Sequence, residues 1–275
     1  MIIKLDKLLI GGNNPFILIA GPCVVENEEI TFQTAETIKN ICAKNNIGFI
    51  FKSSFKKANR TSHNSFSTIG SEAALKILYD VRMKYHLPII TDVHSVDDIS
   101  MAKDVVDILQ IPAFLCRQSD LLYAAGESQK IVNIKKGQFL SPDDMKYPAE
   151  KVEATGNKNI MFTERGTTFG YHNLVVDMRS LVIMKKFGYP VIMDATHSVQ
   201  MPSSSNVTGG QPEFIFPLAR AAAAVGIDGL FLEVHPEPTK ALSDSGSQLK
   251  LDRLENILVE IKKIDEIAKS ILRQN

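Results

Sequence analysis

Short runs that are apolar on both faces recur along the chain at 16–20, 48–51, 88–91, 106–110, 131–134, 159–162, 191–193 and 229–232. Between them apolar positions recur at three and four, which predicts helices over 27–44, 71–86, 96–104, 121–127, 143–155, 174–187, 213–225 and 248–272. Strands apolar on both faces, each followed by a helix, build a parallel sheet covered by helices. Eight such units within 275 residues fit a closed (β/α)8 TIM barrel better than an open doubly wound sheet. No GxGxxG or Walker loop supports the open form. Ahead of the rhythm, residues 2–10 alternate loosely and end at Gly11-Gly12-Asn13-Asn14-Pro15, the pattern of a short N-terminal hairpin. No linker, low-complexity tract or charge block divides the chain, so residues 1–275 read as one domain.

Composition narrows the partners. With 31 basic and 31 acidic residues there is no global field to draw nucleic acid or an anionic membrane, and any anion must be recognised locally. The three cysteines form no CxxC and leave one unpaired in any disulfide scheme, which suits a reducing cytoplasm. The segment Met1-Ile2-Ile3-Lys4-Leu5-Asp6-Lys7 carries charge where a signal peptide has its apolar core, and no run is long enough to span a bilayer. A soluble protein acting on small molecules is the expectation.

In a barrel of this kind the chemistry gathers at the C-terminal ends of the strands. Those ends supply Cys23; Lys52, Ser54 and Lys57; Asp92 and His94; Gln110 and Arg117; Asn133 and Lys135; Thr163 to Arg165; Asp194 and His197; and Glu233 with His235. Lys52, Lys57, Lys135 and Arg165 would bring four cations to one mouth, an arrangement that repels itself unless a multiply charged anion joins it. A small phosphorylated acid fits, although each lysine taken singly is also an ordinary solvated residue. Cys23, His197 and Glu233, with Asp244 on a following loop, offer thiolate, imidazole and carboxylate to a borderline divalent metal. A buried structural cysteine and a strand-end histidine are the alternative there. Asn59-Arg60-Thr61-Ser62 places an arginine fork beside amide and hydroxyl groups, suited to a second phosphate, at the rim or in a neighbouring subunit's site. Cys42 and Cys116 read as core, and the polar stretch 201–211 as a mobile loop over the site.

At this point the residues match a family. Ala20-Gly21-Pro22-Cys23, the stretch Phe51-Lys52-Ser53-Ser54-Phe55-Lys56-Lys57-Ala58-Asn59-Arg60, Gln110-Ile111-Pro112-Ala113-Phe114-Leu115-Cys116-Arg117-Gln118, Asn133-Ile134-Lys135-Lys136-Gly137-Gln138-Phe139, Thr163-Glu164-Arg165-Gly166, Asp194-Ala195-Thr196-His197-Ser198-Val199-Gln200 and Glu233-Val234-His235-Pro236-Glu237-Pro238 occur in one order. The chain resembles the 3-deoxy-D-manno-octulosonate-8-phosphate synthases from about Phe16 to the last helix.

The resemblance implies a (β/α)8 barrel, a homotetramer, and condensation of phosphoenolpyruvate with arabinose 5-phosphate on the way to lipopolysaccharide. It implies Lys52, Lys57, Lys135 and Arg165 as the phosphoenolpyruvate clamp, with Ser54 and Gln110 beside it. Asn59, Arg60 and Thr61 become the arabinose 5-phosphate site, shared with an adjacent subunit. Lys52, Lys135, His197 and Asp244 become the catalytic group. Cys23, together with Ser243-Asp244-Ser245-Gly246-Ser247-Gln248-Leu249, implies the metal-dependent class, with Cys23, His197, Glu233 and Asp244 as ligands of a divalent ion such as Fe, Zn or Mn. A related synthase that takes erythrose 4-phosphate normally reads Lys-Pro-Arg-Thr where this chain has Lys57-Ala58-Asn59-Arg60. A non-catalytic barrel that binds a phosphorylated metabolite is the reading from another class. Three departures stand out: Lys56 where an acid is usual, Thr61 where serine is usual, and Ser203 to Thr208 in place of a Gly-Asp-Lys-Ser pattern.

Overall fold

The computed structural model describes residues 1–58, 66–201 and 209–272. Eight parallel strands form the barrel: β1 (Ile17–Gly21), β2 (Gly48–Lys52), β3 (Ile89–Asp92), β4 (Ile108–Ile111), β5 (Ile131–Lys135), β6 (Ile160–Glu164), β7 (Val191–Asp194) and β8 (Gly229–His235). Each pairs with the next in sequence, and β8 pairs with both β7 and β1, which closes the ring. Helices α1 (Glu28–Asn45), α2 (Ser71–Tyr85), α3 (Val96–Ala102), α4 (Ser119–Glu127), α5 (Lys146–Glu153), α6 (Met178–Lys185), α7 (Ile215–Val225) and α8 (Leu254–Leu272) alternate with them. The expected barrel is the observed one.

Strand periodicity sorts the side chains into an inside and an outside. Phe51, Leu109, Val132, Ile134, Phe162, Met193 and Leu232 face the helices and join the outer core. Their neighbours Ile19, Ile50, Ile90, Ile108, Ile131, Met161, Ile192 and Phe231 fill the lower interior. The N-terminal hairpin, Ile3–Leu5 against Leu8–Ile10, presses Ile3 and Ile10 into that interior layer and plugs the lower end. Two residues further along each strand the same inward direction carries Lys52, Asp92, Gln110, Asn133, Thr163, Asp194 and Glu233, all buried.

That step explains where the strands end. Every strand runs one to three residues beyond the apolar run that announced it, in most cases because a polar residue stays inside the barrel; β1 is extended by Gly21 and β4 by Ile111. Other boundaries shift for local reasons. Leu174–Val175 pairs antiparallel with Thr167–Thr168, so α6 starts only at Met178, where Asp177 caps it by accepting from the Arg179 amide. Pro142–Met145 and Leu251–Arg253 are 3-10 turns leading into α5 and α8. Leu249–Lys250 continues the sheet beside β8, outside the ring. Gly21 lets the tops of β1 and β2 approach: a Cβ there would lie 1.9 Å from the Lys52 carbonyl oxygen.

Candidate active site

Lys52, the last residue of β2, turns its ammonium into the barrel and donates to the Cys23 carbonyl at 3.1 Å, to Ser54 Oγ at 3.0 Å and to Glu233 Oε1 at 3.0 Å. Asp92 Oδ2 completes its surroundings at 3.3 Å. Burial alone would lower this ammonium, but Asp92 and Glu233 outweigh it and hold the pKa above its ordinary value. Lys57 Nζ lies 3.6 Å from Asp244 and 3.8 Å from Glu233. Burial is again outweighed there, by the Cys23, Glu233 and Asp244 charges, and its ammonium is pushed well up. Both lysines are therefore fixed cations.

Across the mouth, Lys135 Nζ meets Asp194 Oδ2 at 2.6 Å and His197 Nδ1 at 3.3 Å, and stands 4.1 Å above the centre of the Phe231 ring. His197 Nδ1 is 2.7 Å from the same Asp194 oxygen, and its Nε2 looks at Glu233 Oε1 from 3.5 Å. Arg165 donates from Nη2 to Gln200 Oε1 at 2.8 Å. Its buried Nη1 has no hydrogen-bond partner among the described residues, and the residue is one of those lining the pocket. Burial lowers the guanidinium against the pull of Asp194 and Glu164.

The mutual repulsion argued from four cations is answered within the protein. Asp92, Asp194, Glu233 and Asp244 interleave with Lys52, Lys57 and Lys135, whereas Arg165 keeps a buried Nη1 with no hydrogen-bond partner among the described residues. Burial works against the charge of Asp92, Asp194 and Glu233, yet the neighbouring cations hold all three carboxyls below the usual range. A hydrogen-bonded row lies beneath: Ser54 donates to Asp92, Gln110 to Asp92 at 2.6 Å, Asn133 to Gln110 at 2.8 Å and Thr163 to Asn133 at 2.8 Å. It links β2 through β6 and leaves Gln110 no freedom to turn.

Cys23, Glu233 and Asp244 bring ligand atoms within 4.8 Å of one another, with Cys23 Sγ 3.2 Å from Asp244 Oδ2. His197 stands beside this trio through its 3.5 Å approach to Glu233. The set fits a divalent cation, since it combines sulfur, oxygen and imidazole donors, and Glu233 Oε2 is buried with no hydrogen-bond partner among the described residues. Burial, then Asp244 and Glu233, push the Cys23 thiol well up, so the thiolate needs a neighbouring positive charge.

Asn59, Arg60, Thr61 and Ser203 to Thr208 lie outside the described residues. The base of the first loop is pinned where the Lys57 amide donates to Ser67 O at 2.9 Å and Ser67 Oγ to Lys57 O at 3.1 Å. Gln200–Met201 pairs with Gly209–Gly210 at the base of the second. Lys56, the first departure, turns away from the mouth and binds Asp98 at 2.6 Å on α3.

Sequence reasoning gave no role to Gln138 or Gln200, both of which line the pocket with Lys57, Lys135, Arg165 and His197. Gln138 Oε1 and His94 Nδ1 are buried without hydrogen-bond partners among the described residues. Neutral amides on loops carry no periodic or charge signal, and only the motifs containing them pointed their way.

A family model described as the DAHP synthetase I family matches residues 1–270. The chain belongs to that family. It is 53% identical over 268 residues to the 2-dehydro-3-deoxyphosphooctonate aldolase of Syntrophotalea carbinolica, covering 97% of each chain. The proteins of the same name from Fusobacterium nucleatum and Rickettsia canadensis are each 52% identical to it; the alignments cover 98% of this chain and 97% and 98% of those proteins. This agrees with the family that the motifs resembled. None of the described helices is long and apolar enough to cross a membrane.

Proposed function

We propose that the chain condenses phosphoenolpyruvate with D-arabinose 5-phosphate and water, giving 3-deoxy-D-manno-octulosonate 8-phosphate and inorganic phosphate. We place it, as one catalytic domain in a homotetramer, in the cytoplasmic synthesis of lipopolysaccharide. The relatives' shared name supports the reaction. The observation that carries it is Arg165, a buried guanidinium whose Nη1 has no hydrogen-bond partner among the described residues, lining a pocket with Lys57 and Lys135. A guanidinium so placed is a receptor for a phosphate or carboxylate oxygen.

In this reading Lys52, Lys57, Lys135 and Arg165 hold phosphoenolpyruvate, with Ser54 and Gln110 setting the floor. Asn59, Arg60 and Thr61 hold the sugar phosphate, partly across a subunit boundary. C3 of phosphoenolpyruvate attacks the sugar aldehyde, water adds at C2, and phosphate leaves by C–O cleavage. Lys135 and His197, both hydrogen-bonded to Asp194, hold protons at the mouth where the aldehyde oxygen becomes a hydroxyl. The fixed cations stabilise the charge that develops on that oxygen. Lys52 and Lys57 stay protonated, so neither serves as an imine-forming amine. Cys23, His197, Glu233 and Asp244 would hold a divalent ion, which supplies Lewis acidity to the aldehyde or to water.

Phosphoenolpyruvate labelled with heavy oxygen in its C–O–P bridge tests the chemistry. With arabinose 5-phosphate present, the label is expected in the released phosphate; label retained in the sugar acid, or no turnover, would overturn the reading.

A further inference from the structure

Of the four candidate metal ligands, Asp244 alone hangs on a loop rather than at a strand end or just beyond one. Its backbone has a φ of +49°, in the left-handed region that few non-glycine residues adopt and that aspartate tolerates better than most. Two side chains grip the loop just before it. Glu26, three residues beyond Cys23, accepts from the Leu242 amide at 2.9 Å. Gln248 donates to the Ser243 carbonyl at 2.7 Å and accepts from the Cys23 amide at 3.4 Å.

Behind Glu26 stands His235, the last residue of β8. Its Nδ1 accepts from the Glu237 amide at 3.0 Å, which puts the proton of the neutral ring on Nε2. That Nε2 faces Glu26 Oε2 at 3.6 Å, and both side chains are buried. Neither residue lines the pocket.

We propose that Glu26 is a positioning residue for the metal centre: backed by His235, its Oε1 anchors Leu242 and so sets the Asp244 carboxylate against Cys23 and Glu233. The barrel fixes Glu233, and the Lys52 bond to its carbonyl fixes Cys23. The Asp244 loop has no strand of its own to fix it, and Glu26 ties it to the Cys23 segment. The acceptor position, rather than the negative charge, does the work. Outer partners of this kind typically contribute about 10-fold to 100-fold in metal affinity. The inference rests on the divalent-metal reading given above.

The test is a cobalt(II) titration of the metal-free protein, followed through the thiolate-to-cobalt charge-transfer absorbance, with a melting curve of each metal-free variant beside it. Wild type is expected to develop the band. Glu26→Ala and Glu26→Asp are expected to bind cobalt at least about 10-fold more weakly with little change in metal-free melting, because alanine has no acceptor and the aspartate carboxylate is one methylene too short to reach the Leu242 amide. Glu26→Gln keeps that acceptor and is expected to restore the affinity to within about threefold. Should the alanine variant fail to fold, the aspartate and glutamine pair decides. Equal cobalt affinity in wild type and Glu26→Asp, or a glutamine variant as weak as the aspartate one, overturns the positioning role. No thiolate band in wild type overturns the metal reading itself, and the positioning role with it.

Discussion

Lys52 Nζ lies 3.0 Å from Glu233 Oε1, and both side chains are only 1% exposed. One end of this pair belongs to the cations proposed to hold phosphoenolpyruvate and the other to the candidate metal ligands, so the two halves of the site share a charge balance. Glu233 has its charge offset by Lys52 and Lys57, and Lys52 has its own offset by Glu233 and Asp92.

Removing that ammonium therefore costs more than a substrate contact. Lys52→Met leaves Asp92 and Glu233 buried with one cation fewer, and breaking a buried pair typically costs about 3–5 kcal/mol. Denaturant unfolding is expected to show a lower midpoint, and kinetics a raised KM for phosphoenolpyruvate. Wild-type stability in this variant would contradict the buried network.

Arg165 behaves differently because its buried Nη1 has no hydrogen-bond partner among the described residues, in a side chain that lines the pocket. Arg165→Lys removes the fork that spans Gln200 and substrate, so kcat/KM for phosphoenolpyruvate is expected to fall about 10-fold to 100-fold, the value of a charged hydrogen bond, while melting changes little. Arg60→Ala is expected to raise KM for the sugar phosphate instead. Equal effects of the two variants on both substrates would contradict the division of the clamp.

Acid should destabilise the fold through its buried carboxylates. Burial works against the charge of Asp98, but hydrogen bonds from His94 and Lys56 outweigh it and hold the carboxyl below the usual range. Its folded pKa is thus lower than its unfolded value near 3.9, so it adds stability above that value and loses it as pH falls further. Melting temperature is expected to be flat on this account from about pH 6 to 8 and to drop steeply below about pH 4. Asp98→Asn should make that drop shallower; an unchanged acid limb would exclude Asp98 as a contributor.

All three thiols are buried, and burial pushes Cys42 up to about 12. Metal-free native protein at pH 8 is expected to react slowly with a thiol reagent, and denatured protein to release three equivalents at once. Chelation by EDTA is expected to abolish turnover until a divalent ion is returned. Full activity after rigorous metal removal would contradict the Cys23, Glu233 and Asp244 assignment.

The barrel was legible because eight apolar runs and their helices keep one rhythm, and because cations such as Lys52 and Lys135 stand where those runs end. What pairs with them was not. Asp92 and Asp194 were visible at strand ends, yet their partnership with Lys52 and Lys135 depends on closure of a ring that brings residues 40 to 59 positions apart together. Lys56 shows the same limit, since its partner Asp98 lies on α3. The start of α6 was misplaced because Leu174–Val175 has helical spacing but finds strand partners in Thr167–Thr168. In each case a tertiary or pairing contact decided what the local pattern left open.

The sugar is the most direct test of the account. Turnover with phosphoenolpyruvate should be measured against arabinose 5-phosphate and erythrose 4-phosphate in parallel, with product identified by mass. The account predicts phosphate release and an eight-carbon 3-deoxy sugar acid phosphate from arabinose 5-phosphate, with kcat/KM far above that for erythrose 4-phosphate. A preference for erythrose 4-phosphate, or binding of phosphoenolpyruvate without turnover on either sugar, would contradict it.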